Sequence, residues 1–143
     1  MSVDEVRHGR VDAAMPARSG LVLGRDFATL RHARDWAVGF VRHHRPDAAG
    51  DAVTDLRIVL DELTCNAIRH ARPPYELALA VRGDRIRVEV SDAGPGLARP
   101  RTSGAGGGRG LALIGVVAAC WGQATRRGGK TVWAELALKS SAG

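Results

Sequence analysis

Aromatic residues make up only 4% of this 143-residue chain. Its core must therefore be aliphatic, and no row of rings is available to stack nucleobases. Cysteine is scarce too. Cys65 and Cys120 are the only two, which excludes a disulfide framework. Each lies in a stretch that reads as buried helix, so both are expected to be inert core thiols, in keeping with a reducing cytoplasm. No CxxC or Cys/His cluster points to a structural metal. Long apolar runs are missing. The longest, Leu111–Trp121, has eleven residues and is too short to span a bilayer. The segment 1–19 carries Asp4, Glu5, Arg7, Arg10 and Arg18 without an apolar stretch, so it does not read as a signal peptide. The expectation is a soluble, cytoplasmic protein with no membrane partner.

Lysine is also nearly absent. Of 21 Lys+Arg, only Lys130 and Lys139 are lysines, against 15 Asp+Glu and a net charge of +6. A pI near 10.6 invites a nucleic-acid reading. The arginines, however, are scattered rather than striped, and an arginine-over-lysine, Ala/Gly-rich composition also fits GC-biased coding. Nucleic acid is not the expected partner.

What the chain does have is 45% hydrophobic and 25% charged residues, with 18 glycines. That balance and length suit one globular domain with a real core. Residues 1–19 read as a flexible polar tail and 20–143 as a single domain. Leu21–Leu23 suits a short strand. Phe27, Leu30, Ala33, Ala37 and Val41 recur at helical spacing up to about His44, with Pro46 closing the helix. Asp51 is placed to cap a second helix over 52–71, which Pro73-Pro74 ends. Two strands, Tyr75–Arg82 and Arg85–Ser91, flank a Gly83-Asp84 turn. A long glycine-rich stretch, Asp92–Gly110, follows; such a loop inside a compact domain is usually functional or disordered. Leu111–Trp121 reads as an apolar helix buried against a sheet. Gly122–Arg127 and Thr131–Leu138 read as a closing hairpin around Gly128-Gly129. The order predicts an α/β (α+β) two-layer sandwich: a mixed, mostly antiparallel sheet covered by helices on one face.

The second helix carries the most information. At about 100° per residue from Leu56, Val59, Leu60, Leu63 and Ala67 fall in one core stripe, while Asp55, Glu62 and Asn66 cluster at its edge near 240–280°. Asp61 points elsewhere. One reading of that edge is an ordinary polar flank, with Asn66 bonding back to the helix. The other is a hard-cation ligand from Asn66 beside a carboxylate that orients a hydroxyl. Asp92-Ala93-Gly94-Pro95-Gly96 follows a strand directly. It places a carboxylate at a strand end, with glycines that let the backbone turn close to a ligand, or it is a simple turn. Gly106-Gly107-Gly108-Arg109-Gly110-Leu111 opens a helix. Its bare amides and helix dipole suit phosphates; as a bland alternative it is a linker.

Taken in this order, the three segments resemble the motif set of the GHKL ATPase superfamily, the Bergerat fold. Glu62-Leu-Thr-Cys-Asn66-Ala-Ile-Arg-His70-Ala71 resembles its N box, Asp92-Ala-Gly94-Pro-Gly96 its G1 box, and Gly108-Arg109-Gly110-Leu111 its G2 box. Gly129-Lys130-Thr131-Val132-Trp133 resembles its closing strand. The small size is similar to that of the anti-sigma-factor serine/threonine kinases and their actinobacterial relatives. The resemblance covers residues 20–138. It implies ATP and Mg²⁺ as cofactors. Asn66 would hold the metal, Asp92 would accept from the adenine amino group, and Gly94 and Gly96 would let the base lie close. Gly108, Arg109, Gly110 and Leu111 would meet the phosphates, and Thr131 would bond the adenine region. Glu62 would be the catalytic base that takes the proton of a protein serine. His70 matches the N-box pattern and reads as structural. Residues 97–107 would form the ATP lid.

The implied partners are a sigma factor and an anti-sigma-factor antagonist, and the implied role is transcription regulation. Relatives often dimerise, so a homodimer is among the assemblies the resemblance allows. No helical hairpin with a phosphoacceptor histidine adjoins the domain, so an autophosphorylating histidine kinase is not expected. The alternative is a nucleotide-gated protein-binding module without kinase activity.

Overall fold

The protein's structure is a computed structural model that describes residues 17–24, 26–94 and 108–140, the side chains of 27 and 108–111 excepted. Eight elements follow in chain order: β1 (Ala17–Leu23), α1 (Phe27–His44), α2 (Gly50–His70), β2 (Tyr75–Arg82), β3 (Arg85–Asp92), α3 (Gly108–Val117), β4 (Cys120–Arg126) and β5 (Gly129–Ala137). The strands form one five-stranded sheet in the order β1-β2-β3-β5-β4. Every pairing among the described residues is antiparallel, in line with the mostly antiparallel sheet expected from sequence, and no parallel pair joins it there.

Alternation along the strands sorts the sheet into two faces. Leu77, Leu79, Ile86, Val88, Val90, Val132, Ala134 and Leu136 point to one face and are buried there. They meet Ala33, Ala37 and Val41 of α1 and Leu56, Val59, Leu60, Leu63 and Ala67 of α2 in a single aliphatic core. The helices thus cover one side, as the two-layer reading requires. The core stripe of α2 read from periodicity is buried throughout.

Local signals explain the ends of α1. The Asp26 side chain accepts from the Thr29 amide at 3.0 Å and caps the helix. Its last turn carries Arg42, His43 and His44, which suit the negative end of the helix dipole. At α2 the expected cap fails. Ala49 is the N-cap residue, and Asp51 sits inside the first turn, where its charge still favours the helix start. The tight turns use glycine where the chain must adopt positive φ, at Gly83 (φ 58°) between β2 and β3 and at Gly128 (φ 78°) between β4 and β5.

Three further expectations are corrected. β1 starts at Ala17, so it takes in Ala17–Ser19, which had read as tail. The apolar helix is shorter than Leu111–Trp121: α3 ends at Val117, and Cys120-Trp121 enter β4 opposite Glu135 and Ala134. Nor is α3 buried against the sheet. It packs mainly on α2, buries Ile114, and leaves Val116 81% exposed. An apolar run alone does not tell helix from strand; here the β4–β5 hairpin claims its last residues. Consequently Cys120 lies exposed on the strand, while Cys65 is half-buried on α2. Among the described residues, no helix is long and apolar enough to cross a membrane.

Candidate functional site

The C-terminal end of α2 and the tip of β3 are joined directly. The Ala93 amide donates to the Arg72 carbonyl at 2.9 Å. A Cβ on Gly94 would stand 3.1 Å from the Arg72 nitrogen and 3.3 Å from Ala71 Cα, so the chain after β3 presses against the chain leaving the helix. Tyr75 Oη donates to the Ala71 carbonyl at 3.1 Å and secures the same junction. Asn66 lies five residues before Ala71, roughly 7–8 Å back along the helix axis.

On α2, Glu62 and Asn66 are one turn apart on one flank, as the wheel predicted. The Asn66 side chain is buried and Glu62 is half-buried. Asp61 points away, toward α1, where its carboxylate stands 3.4 Å from Arg34 Nε. Burial raises the Asp61 carboxyl above the ordinary aspartate value, against the opposing charges of Arg34 and Arg57. His70 lies exposed in the last turn. Thr64, which the sequence reading did not single out, is fully buried, and its hydroxyl has no hydrogen-bond partner among the described residues.

Asp92 ends β3 with no exposure to solvent. Its Oδ1 accepts from the Gly94 amide at 2.7 Å, closing a turn. Its Oδ2 lies 3.0 Å from Lys130 Nζ, and both side chains are at least 95% buried. That oxygen receives no hydrogen bond of ordinary geometry among the described residues. Lys130 is the residue that the sequence reading missed. The signal was present: it is one of only two lysines, and it shares the inward parity of Val132, Ala134 and Leu136 on β5.

Thr131 has the opposite parity. It points to the outer face of the sheet, where its hydroxyl lies 2.7 Å from Ser91 Oγ. The structure therefore does not bring Thr131 to the side of Asp92. Gly129 is required where it stands, since a Cβ there would lie 1.7 Å from the Asp92 carbonyl oxygen. Arg126 Nη2 also donates to that carbonyl at 3.5 Å. A hollow of about 440 Å³ opens beside this junction, with Arg72, Gly94, Arg126 and Gly129 in its wall.

Gly108, Gly110 and Leu111 belong to the first turn of α3, the end that offers free amides. Arg109 lies in that turn too; its side chain, like those of Gly108, Gly110 and Leu111, is not described. Gly96 and the expected lid, residues 97–107, lie outside the described residues.

The donor set at the β3 tip fits a nucleotide base. It offers a buried carboxylate whose Oδ2 faces only the Lys130 ammonium, which a base would have to displace or share, backbone held close by glycine, and a buried carboxamide on the adjoining helix. Among the described residues there is no group of three or more His, Cys, Asp or Glu able to hold a metal by themselves. A cation held by Asn66 alone would draw its other ligands from phosphate oxygens and water, as Mg²⁺ usually does.

The family model described as histidine kinase-like ATPase domain matches residues 25–135. No curated protein matches the chain in sequence. Among solved structures, the RsbU and RsbW domains of Rv1364c from Mycobacterium tuberculosis superpose with a TM-score of 0.65 at 19% identity, covering 85% of this chain and 32% of that one. This chain thus spans about a third of that structure's length. The Acinetobacter baumannii histidine kinase AdeS superposes with a TM-score of 0.50 at 16% identity, covering 96% of this chain and 76% of that one. At these identities the likenesses speak for the fold.

Proposed function

Because this chain belongs to the histidine kinase-like ATPase family of the GHKL superfamily, we propose that it is an ATP-binding regulatory protein of the anti-sigma-factor kinase type. It would transfer the γ-phosphoryl group of Mg-ATP to a serine or threonine of an anti-sigma-factor antagonist, and it would regulate transcription in the cytoplasm by binding a sigma factor. The observation that carries this reading is Glu62. A carboxylate stands one helical turn before the buried Asn66, on the same flank of the helix that abuts the Asp92 tip. A domain that only bound nucleotide would have no need of an acid at that place.

In this reading the adenine amino group donates to Asp92, and the close backbone at Gly94 admits the base. Thr131, on the other face of the sheet, is left out of the base site. The free amides of Gly108, Arg109 and Gly110 receive the phosphates. Mg²⁺ held by the Asn66 oxygen would neutralise charge on the β- and γ-phosphates. Glu62 accepts the proton of the substrate hydroxyl as its oxygen bonds to the γ-phosphorus. The bond from that phosphorus to the bridging oxygen breaks, and ADP departs with the electron pair. The protein's share is positioning and charge, which carry most of such a transfer.

The test has two stages. Calorimetry compares Mg-ATP binding by the wild type with Asn66→Ala and Asp92→Ala; loss of affinity in both is expected, and equal affinity in all three overturns the nucleotide site. Labelled ATP is then mixed with the protein and a candidate antagonist. Transfer that vanishes in Glu62→Gln supports the kinase.

One observation favours a second reading, a nucleotide-gated binding module without transfer. Lys130 already occupies Asp92 Oδ2, so a base would have to displace or share it, and binding would be coupled to rearrangement at the β3–β5 tip. Mg-ATP binding with no turnover on any partner would favour the module.

A further inference from the structure

The face of the sheet turned away from the helices carries a cluster that the nucleotide site does not use. The antiparallel register puts Arg18, Ala80, Arg87 and Glu135 in one row across β1, β2, β3 and β5. Two residues along, Arg82 and Arg85 lie directly opposite each other. All point outward. A hollow of about 470 Å³ opens among them, with Ala80 as its small-residue floor. Adjacent strands lie ~4.8 Å apart, so Arg18 and Arg87 rise on either side of Ala80 with Cα atoms about 10 Å apart.

The charges in this hollow do not cancel. Arg87 Nε lies 2.6 Å from Glu89 Oε2, and its Nη1 lies 3.2 Å from Glu135 Oε2. Arg85 Nη1 is 3.7 Å from Glu135 Oε1. Both glutamates are thereby engaged by Arg85 and Arg87. Arg87 also stacks on the Trp133 ring, 4.1 Å from its centroid, and Trp133 in turn lies over Gly122, where a Cβ would stand 2.7 Å from the indole. Arg18 and Arg82 are exposed and form no ion pair among the described residues. Arg82 facing Arg85 is moreover a like-charge cross-strand pair, which costs stability until an anion sits between the two.

We propose that this hollow is a docking site for an acidic segment of a protein partner, an extended stretch with Glu or Asp at alternate positions. Carboxylates spaced two residues apart match the period of the strands beneath. Arg18 and Arg82 supply the planar forks that carboxylates pair with best. The same face argues against nucleic acid. The Trp133 ring on it is already covered by the Arg87 guanidinium, so it offers no bare ring there on which a base could stack.

The probe is a fluorescein-labelled octapeptide of alternating glutamate and serine. Its comparators are the glutamine version of the same peptide and a single-stranded oligonucleotide of similar length. Fluorescence anisotropy should show binding of the glutamate peptide at low salt and at least tenfold weaker binding of the glutamine peptide. Binding should weaken about tenfold as the Debye length shrinks from roughly 30 to 8 Å. Arg18→Ala/Arg82→Ala should lose at least tenfold in affinity with no fall in the urea midpoint, since both side chains are exposed and losing Arg82 relieves its repulsion with Arg85. Equal binding of the two peptides, undiminished binding by the double variant, or tighter binding of the oligonucleotide overturns the proposal. So does sedimentation showing that the wild type self-associates through this face, with Arg18→Glu/Arg82→Glu turning a dimer into a monomer.

Discussion

Lys130 and Asp92 form an ion pair sealed from solvent, Nζ to Oδ2 at 3.0 Å, across the hydrogen-bonded edge of β3 and β5. The pair sits under the turn that Asp92 closes with Gly94, so strand tip and turn share one carboxylate. Taking away one member of such a pair leaves the other charged and buried. Lys130→Met should therefore destabilise the fold by about 3–5 kcal/mol. Adding Asp92→Asn to it should recover most of that loss. Urea unfolding of the two variants checks both statements; a Lys130→Met midpoint equal to wild type would mean that the pair carries no such weight.

Gly129→Ala is the second prediction. The new methyl would start 1.7 Å from the Asp92 carbonyl oxygen, which is backbone and cannot step aside. The cost should reach or exceed the top of the ~1–3 kcal/mol usual for overpacking. Gly50→Ala, where a Cβ meets nothing within 4 Å, is the matched control and should hold or gain stability. Thermal melts of the two distinguish steric cost from any general effect of adding a methyl.

Glu62→Gln separates chemistry from binding. If Glu62 takes the proton of the acceptor hydroxyl, the amide should slow transfer by about 10²–10⁴ while Mg-ATP affinity stays within a small factor. Single-turnover assays with labelled ATP and an antagonist, run beside calorimetry, read both quantities. A fall in affinity as large as the fall in rate would make Glu62 a nucleotide ligand instead.

Asp61 gives a pH prediction. Burial, its largest influence, raises its folded-state pKa above the ordinary value of 3.8. The folded chain therefore holds this proton more tightly than the unfolded chain, and the associated stability is present in acid and fades as pH rises through the folded-state value. Asp61→Asn removes that dependence. The variant should gain on wild type as pH climbs from about 3 to neutrality, with the Arg34 contact worth little at a partly exposed pair. Denaturation midpoints across that range give the slope, and parallel curves would count against the assignment.

Much of this architecture could be read from periodicity alone. Apolar spacing placed α1 from Phe27 to about His44, and Pro46 and Pro73-Pro74 bounded the helices as the ring chemistry of proline requires. The flank of α2 with Glu62 and Asn66 came from the same arithmetic. One error arises because a short apolar run does not disclose its partner. Leu111–Trp121 looked like one helix because only the β4–β5 pairing makes Cys120 and Trp121 extended. The Asp51 cap was an error of one or two residues at a helix start. Thr131 was assigned by motif position, whereas the inward parity of Val132 and Ala134 already sent it to the other face and Lys130 to the inner one. Cross-strand neighbours such as Arg18 and Arg87 were invisible to any local reading, because register across β1, β2 and β3 brings them together.

β1 caps one edge of the sheet, pairing with β2 over all seven of its residues from Ala17 to Leu23. Its loss would bare the backbone amides and carbonyls of β2 along a strand whose inward residues, Tyr75, Leu77, Leu79 and Val81, are strongly apolar. An unguarded edge of that kind is a template on which further chains can seed. Trimming this protein to begin after residue 24 should thus be felt first as loss of solubility.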